Sequence, residues 1–377
     1  SLVDPFPQGF AAPEGAAAGP FAGIGNGVGF NPRRYKIPRT YQYSFGFQRE
    51  MPWGIVADVS FSGNKQIYAT YGFDMNWPEG SAGLTLQNRA IAEPQFFSTT
   101  VNNPFFGILP STSGRGASPT IGRSGLMQLF PMWGGMSNDG LQAAGYRAEQ
   151  LQVGVQKRAF GDSRRTGVMT WILSWTFGKE YEKNHRLGAG WDTTQPLYYE
   201  ISNQDKTHSF SFSGVWDLPF GKGRRFGNSS GALADRLIGG WKADWIFTYV
   251  SGYPLGWPNL INRCGEWHAK EQNENSWFNN DKSCYAQQPP NTLRYLPDRF
   301  PGTIREHQRP QINAAVSKDI SFGERYKLNL KGEGFNVSNT PIRTNPNTDL
   351  NSADFGKLGF SQRNFPRFFQ LAAKFYF

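Results

Sequence analysis

The stretch NFPRFFQLAAKFYF, residues Asn364 to Phe377, decides how the rest of the chain is read. Counting back from the end, one parity holds Phe377, Phe375, Ala373, Leu371 and Phe369. The other holds Tyr376, Lys374, Ala372 and Gln370. A period of two puts these sets on opposite faces of a β-strand. The run is as long as a tilted strand that crosses a bilayer, about 9–11 residues. A half-buried strand of a soluble sandwich alternates in the same way, so the neighbours must arbitrate.

Upstream, the alternation recurs. Leu328, Leu330, Gly332 and Gly334 oppose Asn329, Lys331 and Glu333, and Ile312, Ala314 and Val316 form a further run. Trp241, Ala243, Trp245, Phe247 and Tyr249 make an aromatic face of the kind found at lipid interfaces. Phe210, Phe212, Gly214, Trp216 and Leu218 alternate with serines and Asp217. Met169, Trp171, Leu173, Trp175 and Phe177 alternate with Thr170, Ser174 and Thr176. Leu151, Val153 and Val155 face away from Gln150, Gln152 and Gln156. Ile55, Ala57, Val59 and Phe61 oppose Asp58, Ser60 and Ser62, and Tyr41, Tyr43, Phe45 and Phe47 oppose Gln42, Ser44 and Gln48. That makes about nine strands.

The links between them alternate in length. Those at Gly323–Tyr326, Gly221–Gly240, Gly161–Gly167 and Met51–Gly54 are short; those at Asn64–Tyr146, Glu180–Lys206, Trp257–Arg309 and Pro341–Arg363 are long. Short periplasmic turns opposite long extracellular loops are the asymmetry of an outer-membrane barrel. Residues 1–39, rich in Gly, Ala and Pro, read as an extracellular loop remnant without a strand pattern, and residues 40–377 as the barrel segment.

Composition agrees. Aromatic residues make up 15% and charged residues 18% of the 377, with 44 glycines, whereas a soluble domain carries about 25% charged residues. Mean hydropathy is nonetheless -0.54. A greasy outside around a wet inside reconciles the two, and no apolar run approaches the roughly 20 residues of a membrane-spanning helix. In hydrocarbon, strands then have to close into a barrel. The expected fold is therefore an all-β, transmembrane antiparallel β-barrel. Its polar parity puts Lys331, Glu333, Gln152, Gln156 and Asp58 forward as lumen-facing groups.

The net charge of +10 is scattered in short groups such as Lys222, Arg224 and Arg225, with no basic helix and no RNA-binding signature. Nucleic acid is thus not an expected partner; outer-membrane lipid and lipopolysaccharide head groups are. Cys264 and Cys284 share one polar segment, where a disulfide is favoured over free thiols, and metal ligation with His268 comes third. Gly23–Gly29 lacks the spacing of a phosphate loop and reads as a flexible loop. The four histidines are scattered through or beside loops, and no nucleophile elbow or paired carboxylates stand out. Neither an enzyme nor a cofactor is expected.

Two resemblances sharpen this. The aromatic end of the final strand resembles the assembly signal of bacterial outer-membrane barrels, which implies Phe369, Leu371, Phe375 and Phe377 as signal residues and the barrel-assembly machinery as a partner. QYSFGFQREMP (Gln42–Pro52), VADVSFSGNK (Val56–Lys65), LQVGVQKRAFGDS (Leu151–Ser163), TWILSWTFGKEYE (Thr170–Glu182), LPFGKGRRFGN (Leu218–Asn228), GGWKADWIFTYVSGYPL (Gly239–Leu255) and LKGEGFNVSNTP (Leu330–Pro341) follow one another in an order similar to TonB-dependent receptors of the Oar-like group, which carry a carboxypeptidase-regulatory-like domain. That resemblance implies a 22-strand barrel of which this chain is the C-terminal portion. About thirteen strands, a plug and a segment contacting the TonB complex would then precede Ser1. It also implies energy-coupled uptake of a nutrient that the sequence does not identify. A passive porin, a structural or adhesive surface protein and a soluble sandwich are the rival readings.

Overall fold

The computed structural model describes residues 19, 21, 23–31, 33–76, 95–96, 98–162, 164–185, 196–258, 260–287, 304–323 and 325–377. Its strands in chain order are β1 (Val28–Phe30), β2 (Arg39–Met51), β3 (Ile55–Asp74), β4 (Thr100–Asn102), β5 (Thr120–Gly122), β6 (Met136–Phe160), β7 (Val168–His185), β8 (Tyr198–Ile201) and β9 (His208–Asp217). There follow β10 (Trp241–Val250), β11 (Leu260–Asn262), β12 (Tyr285–Gln287), β13 (Arg309–Phe322), β14 (Tyr326–Phe335), β15 (Arg343–Pro346), β16 (Leu358–Gln362) and β17 (Phe368–Tyr376).

Nine long strands form one antiparallel meander in the order β17-β14-β13-β10-β9-β7-β6-β3-β2. They are the nine expected from alternation, in chain order. Residues 52–54, 161–167, 218–240 and 323–325 connect them at one end, and 75–135, 186–207, 251–308 and 336–367 at the other.

The register explains the composition. One row across the sheet runs Gln48, Asp58, Gly154, Ser174, Ser211, Thr248, Gln311. The adjacent row, on the opposite face, runs Phe47, Val59, Val153, Trp175, Phe210, Tyr249, Pro310. Among the described residues no second layer covers the apolar face: Phe45 is 78% exposed and Leu371 88%. So wide a bare apolar surface marks contact with lipid. On β7 it has five positions, Met169, Trp171, Leu173, Trp175 and Phe177. At about 6.7 Å per residue pair and a tilt near 40°, the four intervals between them span about 20 Å, most of the roughly 25 Å height of a barrel's apolar band.

Neighbouring rings pack along this face, Phe210 on Phe247 and Phe212 on Trp245, each at 5.6 Å. Gly214 permits the second contact, since a methyl group there would overlap the Trp245 ring.

Two local expectations are corrected. β3 reaches Asp74 and β6 starts at Met136, so the link expected over Asn64–Tyr146 is shorter. Register shifts at Ile67/Ala69, Ala69/Thr70 and Tyr71/Phe73 break the period of two and hid those extensions. Within Gly23–Gly29, read as a flexible loop, Gly25 N–H donates to Met132 O, and Val28 and Gly29 belong to β1, which pairs in parallel with β6. Three residues are too few to show alternation. His208, expected in or beside a loop, is the first residue of β9, its ring stacked on Trp175 at 6.0 Å.

Candidate functional site

All five expected lumenal groups lie on the polar face, in two separate places. Lys331 and Glu333 form an ion pair of 2.6 Å on β14. Asp58 on β3 stands opposite Gly154, which Gln152 and Gln156 flank on the same face of β6. Five inter-strand steps of about 4.8 Å, roughly 24 Å, separate the groups, so they line one wall without forming one pocket. Between them lies a network that alternation did not single out. Lys242 Nζ stands 3.8 Å from Asp217 and 3.4 Å from Asp319, Lys327 Nζ stands 2.8 Å from Asp319, and Asn329 donates to Asp319 at 2.7 Å. Its members sit at strand ends near the short turns; alternation puts Asp217 and Asn329 on the polar parity but does not join them to Lys242 or Asp319.

Above the wall, the long connections fold on one another. Leu255, Trp257, Leu260, Phe278, Cys284, Tyr285, Ile304 and Phe355 form a buried cluster drawn from residues 251–308 and 336–367. Phe278 meets Phe355 edge-on at 5.2 Å, and Trp257 meets Trp267 at 4.9 Å. Trp257 Nε1 donates to Leu260 O at 3.1 Å and Trp277 Nε1 to Arg305 O at 2.6 Å, so these indoles are not orphaned. Burial pushes the Tyr285 hydroxyl above the ordinary tyrosine range, and it donates to Asn279 O at 2.7 Å. Cys264 and Cys284 are bonded, with Cα atoms 5.1 Å apart, beside the β11–β12 hairpin. Three tryptophans and a cysteine pair in a polar stretch were the available sequence signal for this cap; its tertiary partner, Phe355, was not inferable from spacing.

A charged keystone joins cap to wall. Asp205 is fully buried; its carboxylate accepts from Arg305 Nη2 at 2.5 Å, from Glu180 N at 2.7 Å and from the Thr207 hydroxyl at 3.1 Å. Arg305 Nη1 donates to Gly252 O at 3.0 Å. Two connections, 186–207 and 251–308, and strand β7 thereby share one ion pair. Next to it, Glu306 accepts from Arg309 at 2.9 Å, Arg363 at 3.1 Å and Asn345 at 2.7 Å. Two guanidiniums on one carboxylate leave a surplus of positive charge where the cap meets the wall. Among the described residues, no three His, Cys, Asp or Glu side chains are grouped to hold a metal ion.

The wall can solvate water and polar solutes on one face while meeting lipid on the other. Phe369, Leu371 and Phe375 lie on the lipid side of β17, and Phe377, just beyond it, is 87% exposed.

The match to a known family agrees with this geometry. A family model described as outer membrane beta barrel domain matches residues 1–370. Among solved structures, the chain is similar to the outer membrane transporter YddB from Escherichia coli, with a TM-score of 0.43 and 6% identity. That similarity covers 94% of this chain and 34% of the other, so the chain spans about a third of that structure's length. No curated protein matches significantly. With its polar and apolar faces separated across nine strands and a family match over nearly its whole length, the chain belongs to the outer membrane beta barrel domain family and resides in the bacterial outer membrane.

Proposed function

We propose that the chain supplies wall and outer mouth to a TonB-dependent, energy-coupled nutrient transporter of the Oar-like group. The observation that carries this is the cap, a buried aromatic cluster fixed to the wall through Arg305 and Asp205. A passive pore needs an unobstructed mouth; a receptor that captures scarce solute needs an ordered one. The lumenal network around Asp319 supports the same reading, because a plug filling the barrel requires charged partners on the wall. That plug, the remaining strands and the segment meeting the TonB complex would lie outside this chain. Phe369, Leu371, Phe375 and Phe377 would present the final strand to the barrel-assembly machinery.

The test uses the complete protein in planar bilayers and in cells. The expected result is no steady open conductance, together with solute uptake that a protonophore abolishes. A stable ohmic conductance with protonophore-insensitive uptake would instead establish a passive porin-like channel.

A further inference from the structure

The apolar band on the outer face ends abruptly toward the long connections, and basic residues replace it. Above Phe45, Phe61, Leu151 and Phe177, the next row on that face is Tyr43, Gly63, Glu149 and Lys179. Above it come Tyr41, Lys65, Arg147 and Tyr181, then Arg39, Ile67, Gly145 and Lys183. Five cations thus stand with one carboxylate over four adjacent strands.

The carboxylate aims a cation. Arg147 donates to Glu149 Oε1 from Nε at 3.1 Å and from Nη2 at 2.8 Å, while the Tyr43 hydroxyl donates to the same oxygen at 3.3 Å. Tyr43 reaches it by laying its ring over Gly63, where a methyl group would overlap that ring. The Arg147 side chain, 52% exposed, is therefore oriented while remaining accessible. Arg39 and Lys65 are exposed with no ion-pair partner among the described residues. Lys179 is occupied by Thr207 and Asp205, and Lys183 lies 6.0 Å over the Tyr199 ring. At the opposite end of the same face the strand cations are folded in: Lys157 and Lys318 are buried, leaving Arg49 exposed.

A membrane-embedded wall holds this row at head-group height on the extracellular side. The ligand that fits carries acyl chains for the Phe45 and Phe61 surface and phosphate for a guanidinium and an ammonium, the pairing that gives charge-assisted hydrogen bonds. We propose that Arg39, Lys65 and Arg147 form a site on the outer wall for the phosphates of a phosphorylated glycolipid of the outer leaflet, of the lipopolysaccharide class. The site rests on the wall's place in the membrane and not on the transport reading.

The test measures lipid retention by the complete protein in detergent, with bisphosphorylated lipid A, the same lipid without phosphates, and inorganic phosphate as competitor. The wild type is expected to retain the phosphorylated lipid preferentially. Each cation near a membrane surface contributes about fivefold, so Arg39→Gln with Lys65→Gln should weaken retention by roughly 25-fold. Tyr43→Phe, which frees Glu149, should weaken it less, and both variants should keep heat-modifiable gel mobility. Equal retention of the dephosphorylated lipid, or unchanged retention by the double variant, overturns the site. Displacement by inorganic phosphate at concentrations comparable to the lipid overturns the glycolipid assignment in favour of a bare anion site. A steady open conductance in the wild type, with preferential retention of the phosphorylated lipid and its loss in the double variant, would overturn the transport proposal and leave the site standing.

Discussion

Asn336 holds a left-handed backbone, φ 48°, where β14 gives way to the long connection before β15. Its side chain is buried: Nδ2 donates to Phe365 O at 3.0 Å, and Oδ1 accepts from Thr340 N at 3.1 Å. Left-handed backbone costs most residues about 1–2 kcal/mol, and orphaning buried polar groups costs about 1–3 kcal/mol. Asn336→Ala should therefore lower stability by roughly 2–4 kcal/mol, and Asn336→Gly, which keeps the backbone, by less; urea unfolding in lipid compares them. The sequence motif containing this residue was visible as a resemblance, but its burial against Phe365 was not. His307 makes a second case. Its Nδ1 is buried without a hydrogen-bond partner among the described residues, and its ring lies 5.5 Å from Trp277. Burial holds its pKa below the usual 6.5; the Gln308 backbone and Glu274 oppose that, and Arg343 adds to it. A folded pKa below the unfolded one means that the contribution is complete above about 6.5 and is lost as pH falls through the folded value. The cap should thus loosen on acidification, seen as faster hydrogen exchange around Trp277. His307→Phe should flatten that dependence, and an unchanged profile in the variant would remove His307 as its cause.

At the scale of elements, the disulfide and the cap behave as one unit. Cys284 is buried in the cap's core, and its bond to Cys264 closes a separation of 20 residues. In the chain-entropy model such a loop is restricted by about 3 kcal/mol, all of it spent outside the lipid-facing band. Reduction should make residues 251–308 sensitive to protease while the strands keep their heat-modifiable gel mobility. Loss of that mobility on reduction would show that cap and wall unfold together. This division also explains what the sequence revealed. The nine long strands were legible because each one crosses lipid with one face and water with the other, a constraint that imposes a period of two on every strand. β8, β11, β12, β15 and β16 obey no such constraint, since β11–β12 and β15–β16 pair within connections and β8 pairs with the loop-side end of β7, and three to five residues carry no period. The cap's core brings Trp257 against Phe278 and Phe278 against Phe355, contacts set by packing across distant segments, which no local pattern encodes. Lumenal groups were readable as a face, whereas the Asp319 network required the register that sets neighbouring strands side by side.

For the whole molecule, the question is what covers β2 and β17, which stand at the two ends of the sheet order. An edge strand in hydrocarbon leaves N–H and C=O groups unpaired, each at a cost of several kcal/mol. In the membrane, each edge must therefore have a partner. The two could pair with each other, closing a small barrel, but the first and ninth strands of a meander run in the same direction. That closure would be parallel, whereas bacterial single-chain barrels have even strand numbers and antiparallel neighbours throughout. Partner strands beyond these nine, from a longer chain or a second polypeptide, satisfy both edges without a parallel seam. The proposed transporter requires that arrangement. Cysteines scanned over Gln42, Ser44 and Gly46 against Gln370, Ala372 and Lys374 test it in the complete protein, because the native pair is already bonded. A Gln42–Asn64 cysteine pair, directly opposite across β2 and β3, serves as the positive control. The expected result is ready oxidation of the control and no cross-link between the two edges at any register. An edge-to-edge cross-link at the control's yield would mean that the nine strands close on themselves, leaving a lumen too narrow for a plug and sinking the transporter proposal.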